Sequence, residues 1–158
     1  MAAPETSRGP ARILVLDDEP TLSRLMATLL ARAGYVVDTA SDGEDGWAAL
    51  NVRPYDLLMT DNDMPRLTGL ELVRRLRTSG IALPIIMVSG SEHVRDLADD
   101  DVLRLSAVMP KPFNPAELIA QVERACPAGP RVCDPQRVRQ AGHDRKGLPR
   151  PDVLAAYG

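Results

Sequence analysis

Asp17, Asp18, Asp61, Ser89 and Lys111 are the residues of this 158-residue chain whose types and spacing could carry chemistry, because each stands at or just past the end of a short apolar run. The runs are Ile13-Leu14-Val15-Leu16, Leu57-Leu58-Met59, Ile85-Ile86-Met87-Val88 and Ala107-Val108-Met109. Three carboxylates gathered in one place repel each other, and their pKa values rise unless a cation neutralises them. An all-oxygen site of few carboxylates, with room for water and phosphate oxygens, suits Mg2+, which dehydrates reluctantly. Lys111 would add a flexible point charge and Ser89 a hydroxyl donor. Phosphoryl transfer asks a protein mainly for alignment and charge stabilisation, so these groups with one divalent ion are a sufficient set of parts.

They act together only if the ends of those runs meet, and the pattern between the runs sets the fold. Ile13 to Leu16 is continuously apolar, as in a strand buried on both faces. Leu22, Leu25, Met26, Leu29, Leu30 and Ala33 then recur at helical spacing up to Gly34, a residue suited to a left-handed cap. Tyr35-Val36-Val37 reads as a second strand, Glu44 to Arg53 as a second helix containing Trp47, and Asp56 to Thr60 as a third strand. Leu70, Leu72, Val73 and Leu76 mark a third helix, Pro84 to Val88 a fourth strand, Ser91 to Leu97 a fourth helix and Ala107 to Met109 a fifth strand. Asn114 caps a last helix, with Pro115 at its first position. Trp47 is expected in the core.

Strict alternation of strand and helix implies an α/β fold: a doubly wound five-stranded parallel sheet, flavodoxin-like in its order 2-1-3-4-5, with five helices. Sites in such sheets form at the carboxyl ends of the strands. Strands one, three, four and five are neighbours in that order, so Asp17, Asp18, Asp61, Ser89 and Lys111 converge on one pocket.

Composition narrows the rest. A net charge of −3 gives no global case for nucleic-acid or anionic-membrane binding. No apolar run approaches the roughly 20 residues of a membrane span, and the start of the chain lacks a signal-peptide core, so a cytoplasmic location is expected. Residues 1–126 carry 13 Lys+Arg against 19 Asp+Glu, whereas 127–158 carry 6 against 3. The second segment is also rich in Pro and Gly, which places a boundary near Cys126: a folded domain over 11–126, then a basic tail over 127–158 too short for an appended effector domain. Cys126 and Cys133 read as reduced thiols beyond the core, not as a disulfide or zinc framework.

The residues carry a resemblance. Leu14-Val15-Leu16-Asp17-Asp18-Glu19, Thr60-Asp61-Asn62-Asp63-Met64-Pro65 with Leu67, Thr68 and Gly69, Ile85-Ile86-Met87-Val88-Ser89, and Lys111-Pro112-Phe113 are similar to the motifs of two-component response-regulator receiver domains of the CheY-like kind. Asp18, Asp61, Ser89 and Lys111 are 43, 28 and 22 residues apart, a spacing that fits that family. The resemblance implies Asp61 as phosphoacceptor, forming an acyl phosphate with a group donated by a sensor histidine kinase or histidine phosphotransfer protein. It implies Mg2+ held by Asp18, Asp61 and the Asp63 backbone carbonyl, with Asp17 acting through a water. Ser89, Gly90 and Lys111 would meet the phosphate, and Lys111-Pro112 resembles the family's cis bond. Such a module is not a turnover enzyme: self-phosphorylation and its slow reversal are stoichiometric.

Three positions depart from the family pattern. Val108 stands where an aromatic switch residue is usual, Gly90 where Ala is common after Ser89, and Arg104 where Gly often precedes the fifth strand. Asp63 adds a carboxylate at the rim. Output by contact with a downstream protein is the leading expectation, with no membrane role and with nucleic-acid contact through the tail as a weaker alternative. An Mg2+-dependent phosphohydrolase of the haloacid-dehalogenase type is the other alternative, because Asp61-Asn62-Asp63 also reads as an Asp-x-Asp signature. That motif normally follows a first strand, with Thr or Val where this chain has Pro65.

Overall fold

The computed structural model describes residues 9–126. In chain order these form β1 (Arg12–Leu16), α1 (Pro20–Arg32), β2 (Val36–Ala40), α2 (Gly43–Val52), β3 (Leu57–Thr60), α3 (Gly69–Thr78), β4 (Ile85–Ser89), a 3-10 segment (Glu92–Asp99), β5 (Ala107–Pro110) and α4 (Pro115–Ala125). The five strands pair in parallel in the order β2-β1-β3-β4-β5. That is the doubly wound order expected from the alternation of elements.

The strands form because their side chains alternate between two cores. Ile13, Val15, Leu57, Met59, Ile86 and Val88 point to one face, where Met26 and Leu30 of α1 and Leu118 and Val122 of α4 cover them. Leu14, Leu16, Leu58, Ile85 and Met87 point to the other, under Leu72, Val73 and Leu76 of α3. Each of these residues is at most 1% exposed. Burial of each large aliphatic contributes roughly 1.5–3 kcal/mol before its ordering entropy is subtracted, so the sheet and its covering helices form as one unit. The helices start where capping chemistry allows. Asp42 Oδ1 accepts from Asp45 N at the head of α2, and Asn114 Oδ1 from Ala116 N at the head of α4. Thr68 and Glu71 form a reciprocal capping box at α3. Gly34, with φ 98°, ends α1 in the left-handed conformation.

Four expectations are corrected. β2 extends through Asp38, Thr39 and Ala40, paired with Leu14, Val15 and Leu16. An edge strand tolerates such polar residues, and Asp38 is satisfied by Arg12 Nη1 at 3.0 Å and the Tyr55 hydroxyl at 2.8 Å. Burial, and then Asp38, push the Tyr55 hydroxyl well above its ordinary pKa, so it stays a donor. In place of the fourth of five helices, Glu92–Asp99 is 3-10. Asp96 and Asp99 lie in its last turns, where negative charge opposes the helix dipole, and Asp100 Oδ1 diverts the Val102 and Leu103 N–H groups into a turn. Cys126 is not beyond the core but fully buried in it, because α4 carries it inward at its C-terminus; Cys133 lies outside the described residues. Trp47 is only partly buried, packed at the edge of the second core beneath the Arg75 guanidinium, 4.3 Å from the ring centroid.

Arg77 ties α3 to the entrance of β5. Its guanidinium donates to the carbonyls of Ile81, Leu83, Leu103 and Arg104 at 2.8–3.1 Å. Burial, then the charge of Arg104, holds the Arg77 pKa below its ordinary value. Arg104 itself has φ 47°, a left-handed backbone that costs a non-glycine residue roughly 1–2 kcal/mol. Arg104→Gly is therefore expected to raise stability by about 0.5–1 kcal/mol after its own backbone entropy is counted. Arg104→Val should lower it, and urea midpoints at unchanged m-value read both.

Candidate functional site

Each residue of the site is fixed by the last rung of the sheet. Asp17 N donates to Ala40 O at 3.2 Å, Asp61 N to Leu16 O at 2.9 Å and Lys111 N to Ser89 O at 3.0 Å. With the parallel pairing of β3 and β4 through Thr60 and Met87, the carboxyl ends of β1, β3, β4 and β5 stand side by side. The Lys111-Pro112 bond is cis.

Asp17, Asp18 and Asp61 converge, with one carboxylate oxygen of each within 4.8 Å of the others. Lys111 Nζ lies 2.9 Å from Asp17 Oδ2 and 3.2 Å from Asp61 Oδ2. The second oxygen of Asp17 accepts from Glu19 N at 2.9 Å, and Asp61 Oδ1 accepts from Asp63 N at 3.3 Å. Asp17 and Asp61 are buried whereas Asp18 is exposed at the rim. Burial pushes the Asp61 carboxyl above its ordinary pKa; Lys111 and the Asp63 N–H oppose the shift, and Asp17 adds to it. Burial works to lower the Lys111 pKa, but Asp17 and then Asp61 hold it above its usual value. One ammonium among three carboxylates leaves two formal negative charges in excess. The donor set is all oxygen, one carboxylate faces solvent, and a buried carboxyl is held at raised pKa, which together fit a divalent hard cation.

Other expected residues take other positions. Ser89 ends β4, buried, its Oγ accepting from Ser91 N at 3.1 Å; among the described residues no hydrogen bond joins it to the carboxylates. Nothing lies within 4 Å of where a Gly90 Cβ would stand, so the glycine is not required by packing. Asp63 is exposed at the rim. Val108 is partly buried against the second core. The motif includes the loop that follows Asp61, but not the contacts that shape it. Asn62 Oδ1 accepts from Leu70 N at 3.0 Å, and Asn62 O accepts from Met64 N and Gly69 N at 3.0 and 3.1 Å. A Cβ at Gly69 would stand 2.1 Å from the Asp61 carbonyl oxygen. The signal was present as a glycine eight residues past Asp61, but only the folded loop reveals that close approach.

Comparison with known proteins agrees with the geometry. The sequence matches the response regulator receiver domain family over residues 13–123. Transcriptional regulatory protein DltR of Streptococcus agalactiae is 34% identical over 111 residues, covering 70% of this chain and 50% of that protein. Transcriptional regulatory protein TcrA of Mycobacterium tuberculosis is 34% identical over 152 residues, 92% of this chain and 51% of that one. The chain thus spans about half the length of these curated relatives. Among solved structures, response regulator protein TrrA from Thermotoga maritima, in complex with Mg(2+)-BeF, is similar with a TM-score of 0.66 and 33% identity, over 73% of this chain and 98% of that one.

Two glycines beside the site should behave oppositely. Gly69→Ala forces a methyl against backbone and is expected to cost about 1–3 kcal/mol. Gly90→Ala enters open space and should stay within about 0.5 kcal/mol of the parent. Denaturant unfolding of the pair distinguishes the two positions.

Proposed function

Because the chain belongs to the response regulator receiver domain family, the module of two-component phosphorelay signalling, we propose that Asp61 is its phosphoacceptor. The observation that carries this reading is the meeting of Asp17, Asp18 and Asp61 at one sheet edge with Lys111 bridging two of them. An Asp61 carboxylate oxygen attacks phosphorus, the O–P bond forms as the histidine N–P bond of the donor breaks, and the imidazole leaves with a proton. Asp18, Asp61 and the Asp63 carbonyl would hold Mg2+, and Asp17, both of whose oxygens already accept hydrogen bonds, would act through a water. When bound, the ion neutralises the carboxylates and offsets charge on the phosphoryl oxygens. Lys111, already 3.2 Å from Asp61, meets a phosphoryl oxygen, and Ser89 gives up the Ser91 N–H to donate its hydroxyl. Gly90 leaves the phosphate uncovered.

The donor is a sensor histidine kinase or histidine phosphotransfer protein. A groove of about 400 Å3 between Leu22 and Leu25 of α1 and Pro112 and Phe113, with Lys111 on its wall, opens beside the site for such a partner. Output runs by contact with a downstream protein. With the small Val108 in the aromatic switch position, we assign the change on phosphorylation to the loop from Ser89 to Arg95 and the 3-10 segment. The receiver occupies 11–126; residues 127–158, the proposed basic tail, lie outside the described residues. Among the described residues no helix is long and apolar enough to cross a membrane, which accords with a cytoplasmic location. A second reading, transcriptional output, is favoured by the TcrA match, which runs over 92% of this chain and so into residues 127–158. Loss of promoter-fragment binding on truncation after Cys126 would support it.

Incubation with acetyl phosphate and Mg2+, followed by intact-mass analysis and peptide mapping, tests the main reading. One phosphoryl group per chain on the Asp61 peptide is expected, with none on Asp61→Asn and strongly slowed labelling of Asp18→Ala. Stoichiometric labelling of another residue in Asp61→Asn, or multiple turnover of phosphate ester, would contradict it.

A further inference from the structure

The loop between β3 and α3 is held from outside by a side chain to which neither the motifs nor the family match assigns a role. Arg66 has φ 65°, a left-handed backbone unfavourable for any residue but glycine and, to a lesser degree, Asn or Asp. Its side chain reaches across to the head of α2. Nε donates to Asp42 Oδ2 at 2.9 Å, Nη2 donates to the same oxygen, and Nη2 also donates to Asp45 Oδ1 at 3.1 Å. Asp42 is buried and its other oxygen caps α2 through Asp45 N, so the anchor is rigid. The contact is close at the next residue too: a Cβ on Gly43 would stand 2.4 Å from Leu67 O and 2.7 Å from Leu67 Cβ. Between the anchor and Asp61 lie only Asn62, Asp63, Met64 and Pro65, drawn together by the Met64 N to Asn62 O and Leu67 N to Pro65 O bonds. A shift of Arg66 is therefore transmitted to Asp63, whose N–H donates to Asp61 Oδ1 at 3.3 Å.

We propose that Arg66 is a positioning residue: its fork onto Asp42 and Asp45 clamps the β3–α3 loop to α2 and so sets the place of the Asp63 backbone relative to Asp61. The inference rests on the reading of Asp61 and Asp63 as part of the Mg2+ site. A left-handed backbone at Arg66 persists because the clamp determines it, and the clamp holds because Asp42 cannot move without uncapping α2. Partners that orient the groups around a metal site typically change its affinity by an order of magnitude or more when removed.

Arg66→Gly tests this cleanly, since glycine accepts the left-handed backbone and Asp42 keeps its role at α2. Calorimetric titration with Mg2+ is expected to show about tenfold weaker binding than the parent. Amide exchange of Met64, Leu67 and Gly69 in metal-free protein should accelerate, while exchange in β1 stays unchanged. Arg66→Lys, which restores one cationic contact, should recover part of the affinity. Gly43→Ala should weaken Mg2+ in the same direction with Arg66 intact, by wedging a methyl between α2 and the loop. Parent-like Mg2+ affinity in folded Arg66→Gly, even with a lowered melting temperature, would make Arg66 merely structural and overturn the inference. If the parent bound no Mg2+ at all, the phosphoacceptor reading would fall first and this inference with it.

Discussion

Lys111 Nζ stands 2.9 Å from one buried carboxylate and 3.2 Å from another, and most of what surrounds the site follows from the need to keep those groups together. Two buried carboxylates within reach of each other, with a third at the rim, would drive the strand ends apart or protonate if left alone. The ammonium offsets part of that repulsion. It does not offset all of it: burial first, with a smaller contribution from Asp17, keeps the Asp61 carboxyl above its ordinary pKa, while Asp17 and then Asp61 raise that of Lys111 against its own burial. Lys111 thus contributes stability present below its unfolded pKa and lost only as pH climbs through the folded one. Asp61, with a folded pKa above its unfolded value, takes stability away as pH rises past it. The excess negative charge is what makes the pocket fit a divalent cation.

The fold exists to hold that arrangement. Strand pairing fixes where the backbones of Asp17, Asp61, Ser89 and Lys111 stand, and two apolar cores, one on each face, pack the strands that carry them. The loops beyond the strands do the finer work. Asn62 and Gly69 fold the segment after Asp61 onto itself, and Arg66 fastens it to α2. At the far side Arg77 fastens the entrance of β5, the strand that delivers Lys111.

The sheet order and the meeting of the carboxylates with Lys111 were legible because continuous apolar runs such as Ile13 to Leu16 and Ile85 to Val88 have one physical solution, burial on both faces. The Val36–Ala40 strand was only half legible, since an edge strand carries Asp38 and Thr39 without penalty. Helical periodicity in Ser91 to Leu97 could not reveal that Asp96, Asp99 and Asp100 disfavour a regular α-helical end. Cys126 continues the four-residue spacing of Leu118 and Val122, but it looked like the start of a tail because the Pro- and Gly-rich segment begins directly after it. Arg66 was invisible for a different reason: its role depends on a positive φ and on an aspartate 24 residues away, neither of which a linear pattern records.

Charge balance at the carboxyl edge is the centre of this account, and Lys111→Met measures it directly. The substitution keeps the stem and removes the charge. Without Mg2+ the variant should lose about 2 kcal/mol of unfolding free energy, less than a fully buried pair because Lys111 is partly exposed. Saturating Mg2+ should then stabilise the variant by more than it stabilises the parent, because the ion relieves repulsion that the lysine no longer offsets. An identical Mg2+ increment in the two proteins would mean that lysine and cation do not answer the same carboxylates, and the account would be wrong.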